Sequence, residues 1–181
     1  MRAFLGLPVP EPLIAPLLSV QEAIPVGRKV PEENLHLTLA FLGDVDEPAL
    51  EALHEALEGR RLARPCLAPA GIASYGGAAP RLLAMDFRAD PALSELHGVA
   101  VRAARGAGIA LRRERFRPHV TLIRFAGGGL SRGGRAALGR ALAALEVPAM
   151  PEAQAERLAL YESILAPEGA RYEVLAEYPL G

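Results

Sequence analysis

Apolar and polar residues alternate along some stretches of this chain and recur at three-and-four spacing along others, and the two periods divide it into strands and helices. Arg2–Leu7 reads as a first strand, followed by a proline-interrupted segment with a helix over Ala15–Ile24. Alternation is strongest over Leu35–Leu42, a strand that Gly43 ends. Asp46 is placed to cap a helix whose Leu50, Leu53 and Leu57 form a buried stripe ending at Gly59. Cys66–Tyr75 and Leu82–Phe87 read as strands joined by a turn-rich stretch at 76–80. Asp90-Pro91, a cap followed by proline at the first helical position, opens a helix to Gly106 with Leu93, Leu96, Ala100 and Val101 as its apolar set. A strand over Pro118–Phe125 closes at the glycines 127–129, a helix spans Ser131–Leu145, and Glu156–Ser163 with Arg171–Tyr178 are the closing strands. Strands and helices interleave twice over. This predicts an α+β fold of two similar lobes within one domain, 1–181.

The strongest of these strands carries a second signal. The chain has only two threonines, Thr38 and Thr121, and each lies two residues after a histidine, His36 or His119, in segments 83 residues apart. Alternate residues of a strand share a face, so each motif presents an imidazole beside a hydroxyl. Leu35, Leu37 and Leu39, like Val120 and Leu122, turn the other way into a core. The repetition is that of an internal repeat, with both motif strands lining one cleft.

Composition narrows the setting without deciding it. Of 181 residues, 51% are hydrophobic and 5% aromatic, which describes a globular chain packed with small aliphatics. A net charge of −1 excludes a globally basic nucleic-acid coat, although Arg112, Arg113, Arg115 and Arg117 crowd the approach to the second motif. They form either a solvated loop or a track for an RNA backbone. The lone Cys66 has no disulfide partner and reads as a small buried residue. The apolar stretch from Ala3 to Val20 is broken by Pro8, Pro10, Pro12, Pro16 and Glu11, so no membrane segment is expected and the expected location is the cytoplasm.

Two imidazoles across a cleft suit acid–base chemistry, because a pKa of about 6.5 lets one accept a proton and the other give one near neutral pH. A hydroxyl beside each can donate to oxygens that gain charge in a transition state. The fitting reaction is in-line displacement at phosphorus. A zinc site is disfavoured, since two imidazoles without Cys, Asp or Glu at ligand spacing fall short of three protein ligands. Nucleophilic catalysis by either threonine lacks an orienting carboxylate. His54 and His97 have no threonine partner and read as structural residues.

The two segments, Asn34-Leu35-His36-Leu37-Thr38-Leu39-Ala40-Phe41-Leu42-Gly43 and Phe116-Arg117-Pro118-His119-Val120-Thr121-Leu122-Ile123-Arg124, resemble the signature motifs of the two-histidine phosphoesterase superfamily. The likeness is to its RNA 2′,3′-cyclic phosphodiesterase branch, also called 2′-5′ RNA ligase, and extends from Arg2-Ala3-Phe4 to Tyr178-Pro179-Leu180. It implies two pseudo-twofold-related lobes, each with an antiparallel sheet and flanking helices. It also implies water attack on a terminal 2′,3′-cyclic phosphate to leave a 2′-phosphate, with 2′-5′ ligation when a 5′-hydroxyl replaces water. Residue by residue, His36 and His119 become acid and base, and Thr38 and Thr121 hold phosphate oxygens. No metal, cofactor or ATP is implied. The partner would be RNA with a cyclic-phosphate end, tRNA fragments among the candidates, acted on by a monomer with no obligate protein partner.

Five residues past each histidine stand Phe41 and Arg124. The resemblance implies that the arginine helps bind phosphate and the aromatic stacks on a base. Strict alternation turns both away from the histidines, which favours a core role for Phe41 unless a bulge intervenes. For the acid–base roles, the arginines near His119 argue for a neutral imidazole there, making His119 the base and His36 the acid. Two other readings compete: a phosphodiesterase of small cyclic or 2′-5′-linked nucleotides, and an inactive module that binds RNA ends.

Overall fold

The computed structural model describes all of residues 1–181 except 89, 128 and 168. Its elements are β1 (Arg2–Pro8), α1 (Glu11–Glu22), β2 (Arg28–Lys29), a 3₁₀ turn at Glu32–Asn34, β3 (His36–Asp44), α2 (Glu47–Leu57), β4 (Cys66–Leu67) and β5 (Pro69–Tyr75). They continue with β6 (Leu82–Phe87), α3 (Pro91–Gly106), β7 (His119–Arg124), α4 (Arg132–Ala144), β8 (Ala153–Gln154), β9 (Arg157–Ala166) and β10 (Gly169–Pro179).

The capping signals of α2 and α3 act as the sequence indicates, and Ser131 caps α4 in the same way. The carboxylates of Asp46 and Asp90 and the Ser131 hydroxyl each accept from a backbone N–H three residues on, and a proline follows in the first turn of α2 and α3. Three expectations change. Helix α1 starts at Glu11 rather than Ala15, because Pro12 falls in the first turn, where its missing N–H costs nothing, and Pro16 is absorbed within the helix. The predicted strand Cys66–Tyr75 is two strands broken at Ala68: β4 pairs with β8 in a separate two-stranded sheet, while β5 pairs with β6. Cys66 is half-buried rather than buried. Of the glycines expected to close β7, Gly128 lies outside the described residues.

The main sheet runs β10-β9-β1-β3-β7-β6-β5, every pair antiparallel, with β2 added beside β7. The two motif strands, β3 and β7, meet at its centre through one recorded pair, Leu37 opposite Val120. These are the same position of the two repeats, which is the register a local two-fold relation produces. Continuing it sets His36 across from Thr121 and Thr38 across from His119. The fold is α+β, as expected.

Helices cover one face of the sheet, with α3 packed on β3 and α1 on β7. Leu37, Leu39, Val120 and Leu122 point into that core with Leu13, Leu17, Leu53, Leu83 and Met85, all at most 3% exposed. The opposite face carries the histidines and threonines. Among the described residues no helix is long and apolar enough to cross a membrane.

Candidate active site

The residues of β3 and β7 follow one burial pattern: half-buried, buried, half-buried, buried, buried, exposed. Alternation therefore breaks at the same place in both. Leu5 pairs with Ala40 and Gly6 with Thr38, so Leu39 is an extra residue in β3; Leu83 pairs with Ile123 and Ala84 with Thr121, so Leu122 is extra in β7. A bulge reverses the facing of every residue beyond it. Phe41 and Arg124 thus return to the face of the histidines, and Phe41 is 49% exposed on the cleft rather than in the core.

Each imidazole is anchored by the same device. His36 Nδ1 lies 2.7 Å from the carbonyl of Asn34, and His119 Nδ1 lies 2.7 Å from the carbonyl of Arg117, in both cases two residues earlier. A carbonyl can only accept, so Nδ1 carries a proton in both rings and donates it, and Nε2 is the nitrogen left to take or give a proton. The hydroxyl of Thr38 donates to Nε2 of His36 at 3.1 Å. Aromatic rings fix the planes: Phe4 lies 4.6 Å from His36 at 31°, and Tyr75 lies 4.7 Å from His119 at 32°.

Their surroundings nevertheless differ. His36 also meets the edge of Tyr172 at 5.0 Å, and Gly6 allows the approach of β1, since a Cβ there would stand 3.1 Å from the Leu37 carbonyl and 3.4 Å from the His36 ring. Burial in this aromatic corner lowers the His36 pKa to about 4. Its hydrogen bond to the Asn34 carbonyl opposes the shift, and the charges of Arg124 and His119 add to it. His119 instead borders a polar network. The Tyr75 hydroxyl donates to Asp86 at 2.6 Å, and Arg117 lies 4.4 Å over the Tyr75 ring and 3.4 Å from the other Asp86 oxygen. Burial, the bond to Asp86 and that carboxylate's charge push the Tyr75 pKa up to about 12. Arg117 is thereby committed to Asp86 and Tyr75, and the arginine whose charge lowers a histidine's pKa is Arg124, acting on His36.

The histidines, both threonines, Phe41 and Arg124 all line one cleft of about 760 Å³, within the range of nucleotide-sized pockets. Every site residue predicted from sequence is brought together. The cleft also holds groups that sequence reasoning left without a role. Arg2 lies 4.9 Å over the Phe41 ring. Arg28 and Lys29 enter through the two-residue strand β2, which is reached through Gly27 at φ +83°, where a Cβ would stand 2.5 Å from Ile123. The far wall is the β9–β10 hairpin, with Ser163, Leu165 and Tyr172. The side-chain amide of Asn34 ties that hairpin to β3 by donating to the Ala170 carbonyl at 2.8 Å. A pairing of the only lysine with an arginine was the one available signal for β2. Among the described residues no group of three or more His, Cys, Asp or Glu side chains is arranged to hold a metal ion.

Residues 7–81, which include the first motif, match the model of the LigT-like phosphoesterases. Over that stretch the chain is similar to the LigT-like phosphoesterases. It is 36% identical over 105 residues to an RNA 2′,3′-cyclic phosphodiesterase of Geobacillus stearothermophilus, a match that covers 56% of this chain and spans about a third (33%) of that protein's length. A protein of the same name from Aeropyrum pernix is 26% identical over 152 residues, covering 83% of this chain and 84% of that one. Among solved structures, LigT of E. coli complexed with 3′-AMP superimposes with a TM-score of 0.76 at 23% identity, over 99% of this chain and 96% of that one, a likeness of fold. A Thermus thermophilus protein, TT0787, gives 0.75 at 28% identity over 99% and 98%.

Proposed function

We propose that this chain hydrolyses the 2′,3′-cyclic phosphate at RNA ends, leaving a 2′-phosphate and a free 3′-hydroxyl. The observation that carries the proposal is the matched anchoring of His36 and His119, which aims two Nε2 atoms into one cleft between two threonine hydroxyls. One imidazole takes a proton from water as its oxygen bonds to phosphorus. The other delivers a proton to the 3′ oxygen as the phosphorus–O3′ bond breaks. On substrate binding the Thr38 hydroxyl turns from His36 Nε2 to a non-bridging oxygen, Thr121 donates to the other, and Arg124 offsets their charge. Each proton transfer is worth about 10²–10⁴ in rate, and neither requires a metal. A 5′-hydroxyl in the place of water would give 2′-5′ ligation by the same steps.

Burial holds His36 neutral, so in the free cleft it is the imidazole prepared to accept a proton, which leaves His119 to protonate the departing oxygen. This reverses the order argued from the arginines near His119, because Arg117 is engaged elsewhere and Arg124 acts on His36. A structure with a trapped cyclic-phosphate analogue decides it: the imidazole in line with the 3′ oxygen is the acid.

Hydrolysis of a cyclic-phosphate oligonucleotide in chelator, with His36→Ala and His119→Ala as controls, tests the function. Turnover that survives the chelator and falls by at least about 10² in either variant supports it. Turnover lost to the chelator, or retained by both variants, overturns it.

A further inference from the structure

The segment 111–115, between α3 and β7, separates the catalytic cleft from a second concavity of about 340 Å³. Glu114 lines both. The second concavity is bounded by His97, Val101 and Arg105 from α3 and by Leu111, Arg112 and Arg113. The structure thus divides the arginines that crowd the second motif. Arg117 is paired with Asp86, whereas Arg112 and Arg113 turn to this cavity and are joined there by Arg105 from the last turn of α3.

Among the described residues, none of Arg105, Arg112 and Arg113 has a carboxylate within ion-pair distance. Three guanidiniums around one small concavity repel one another and gain from a shared anion. Their planar forks match the oxygens of a phosphodiester. The one carboxylate lining the cavity, Glu114, stands on the wall it shares with the cleft.

We propose that this cavity is a subsite for an upstream phosphate of the RNA strand, so that a chain whose cyclic end lies between His36 and His119 crosses at Glu114 and rests its backbone on Arg105, Arg112 and Arg113. The proposal builds on the reading of the cleft as an RNA-end phosphodiesterase, and adds a contact that a mononucleotide cannot make. It predicts a substrate that is a strand rather than a single nucleotide.

The test compares the parent with the combined Arg105→Ala, Arg112→Ala, Arg113→Ala variant on cyclic-phosphate substrates from one nucleotide to about eight, a span within the reach of known single-strand sites. The parent's kcat/KM is expected to rise with length, and the variant to lose that rise while keeping the parent's value on the mononucleotide. The salt dependence of log KM for the longer substrates should weaken by about 0.7, the increment for one phosphate neutralised on a single strand. Arg115→Ala, which alters the same segment outside the cavity, should leave both quantities unchanged. A variant that keeps the length gain and the salt slope overturns the subsite while the phosphodiesterase reading stands. If the parent turns over no substrate, that reading fails by itself. Fluorescence anisotropy with a labelled oligonucleotide then judges the subsite: weaker binding by the triple variant supports it and equal binding overturns it.

Discussion

Leu39 and Leu122 are equivalent residues of the two bulges, and each has its carbonyl oxygen held by a side chain from the helix packed behind its strand. His97 of α3 donates from Nδ1 to the Leu39 carbonyl at 2.9 Å, and Gln21 of α1 donates from Nε2 to the Leu122 carbonyl at 2.8 Å. A bulge leaves ladder groups unpaired, and a buried unpaired carbonyl is costly. His97 thus satisfies the carbonyl of the first bulge, while that of the second accepts from Gln21 and from the Val30 N–H at 2.8 Å. With these bonds in place the irregularity turns Phe41 and Arg124 into the cleft. His97 is further fixed by parallel stacking on Phe116 at 4.0 Å, which links the first bulge to the approach of the second motif.

Gln21 is 3% exposed and its amide also donates to the Val30 carbonyl at 2.9 Å. Gln21→Met keeps the volume and removes both bonds. The expected cost is about 1–3 kcal/mol, read as a lower urea midpoint with an unchanged slope. Because the Val30 carbonyl follows β2, the same variant should raise KM through Arg28 and Lys29 before it alters kcat.

Those bulges also explain where the sequence was legible and where it was not. The imidazole–hydroxyl pairs were readable because they precede the bulge, where period-two alternation still holds. Phe41 was misassigned to the core because alternation was extended one residue too far. The signal against it was present in both motifs, as two adjacent apolar residues, Leu39-Ala40 and Leu122-Ile123, ahead of Phe41 and Arg124. Strands β2, β4 and β8 have two residues each, too few to show any period, and their pairing is decided by tertiary packing. Arg2, Phe4 and Tyr75 reach the site only through strand neighbours distant in sequence. No local pattern marks them.

His36 should make the protein acid-sensitive. Its native pKa, about 4, lies below the ordinary value of 6.5, so the unfolded chain binds the extra proton first as pH falls. Stability from this group is complete above pH 6.5 and is lost progressively down to about pH 4, by about 3 kcal/mol at most. Denaturant titrations across that window should show His36→Gln flatter than the parent. With His36 as the base, the acid limb of kcat/KM should fall nearer pH 4 than 6.5.

Asn34 serves the site twice, with separable consequences. Its backbone carbonyl holds the His36 tautomer, and its side chain holds the β9–β10 hairpin at Ala170. Asn34→Ala removes only the second bond. The expected result is a KM raised several-fold as the wall bearing Tyr172 and Leu165 loosens, faster amide exchange along Gly169–Tyr172, and a kcat within about threefold of the parent, as befits loss of one neutral hydrogen bond of about 1 kcal/mol. A fall in kcat equal to the rise in KM would instead mean that the tether positions His36 itself.

Phe41 and Arg124 occupy equivalent places past the two bulges, yet one is a ring and the other a cation, so the symmetric frame carries an asymmetric site. The ring, with Arg2 lying 4.9 Å over it, is the flat surface the proposed function assigns to a base, and the charge of Arg124 reaches His36, beside which the proposed cyclic phosphate would lie. The two variants should therefore fail differently. Phe41→Ala should weaken substrate binding by about 1–3 kcal/mol, a KM about five- to 150-fold higher, with kcat largely kept. Arg124→Ala should lower kcat, because a charge opposite the developing phosphorane acts most strongly in the transition state, and Arg124→Lys should recover only part of it, since a point charge cannot donate as a fork. Steady-state kinetics on one cyclic-phosphate dinucleotide distinguishes these outcomes, and an Arg124→Ala effect confined to KM would move that arginine from the reacting phosphate to the rim.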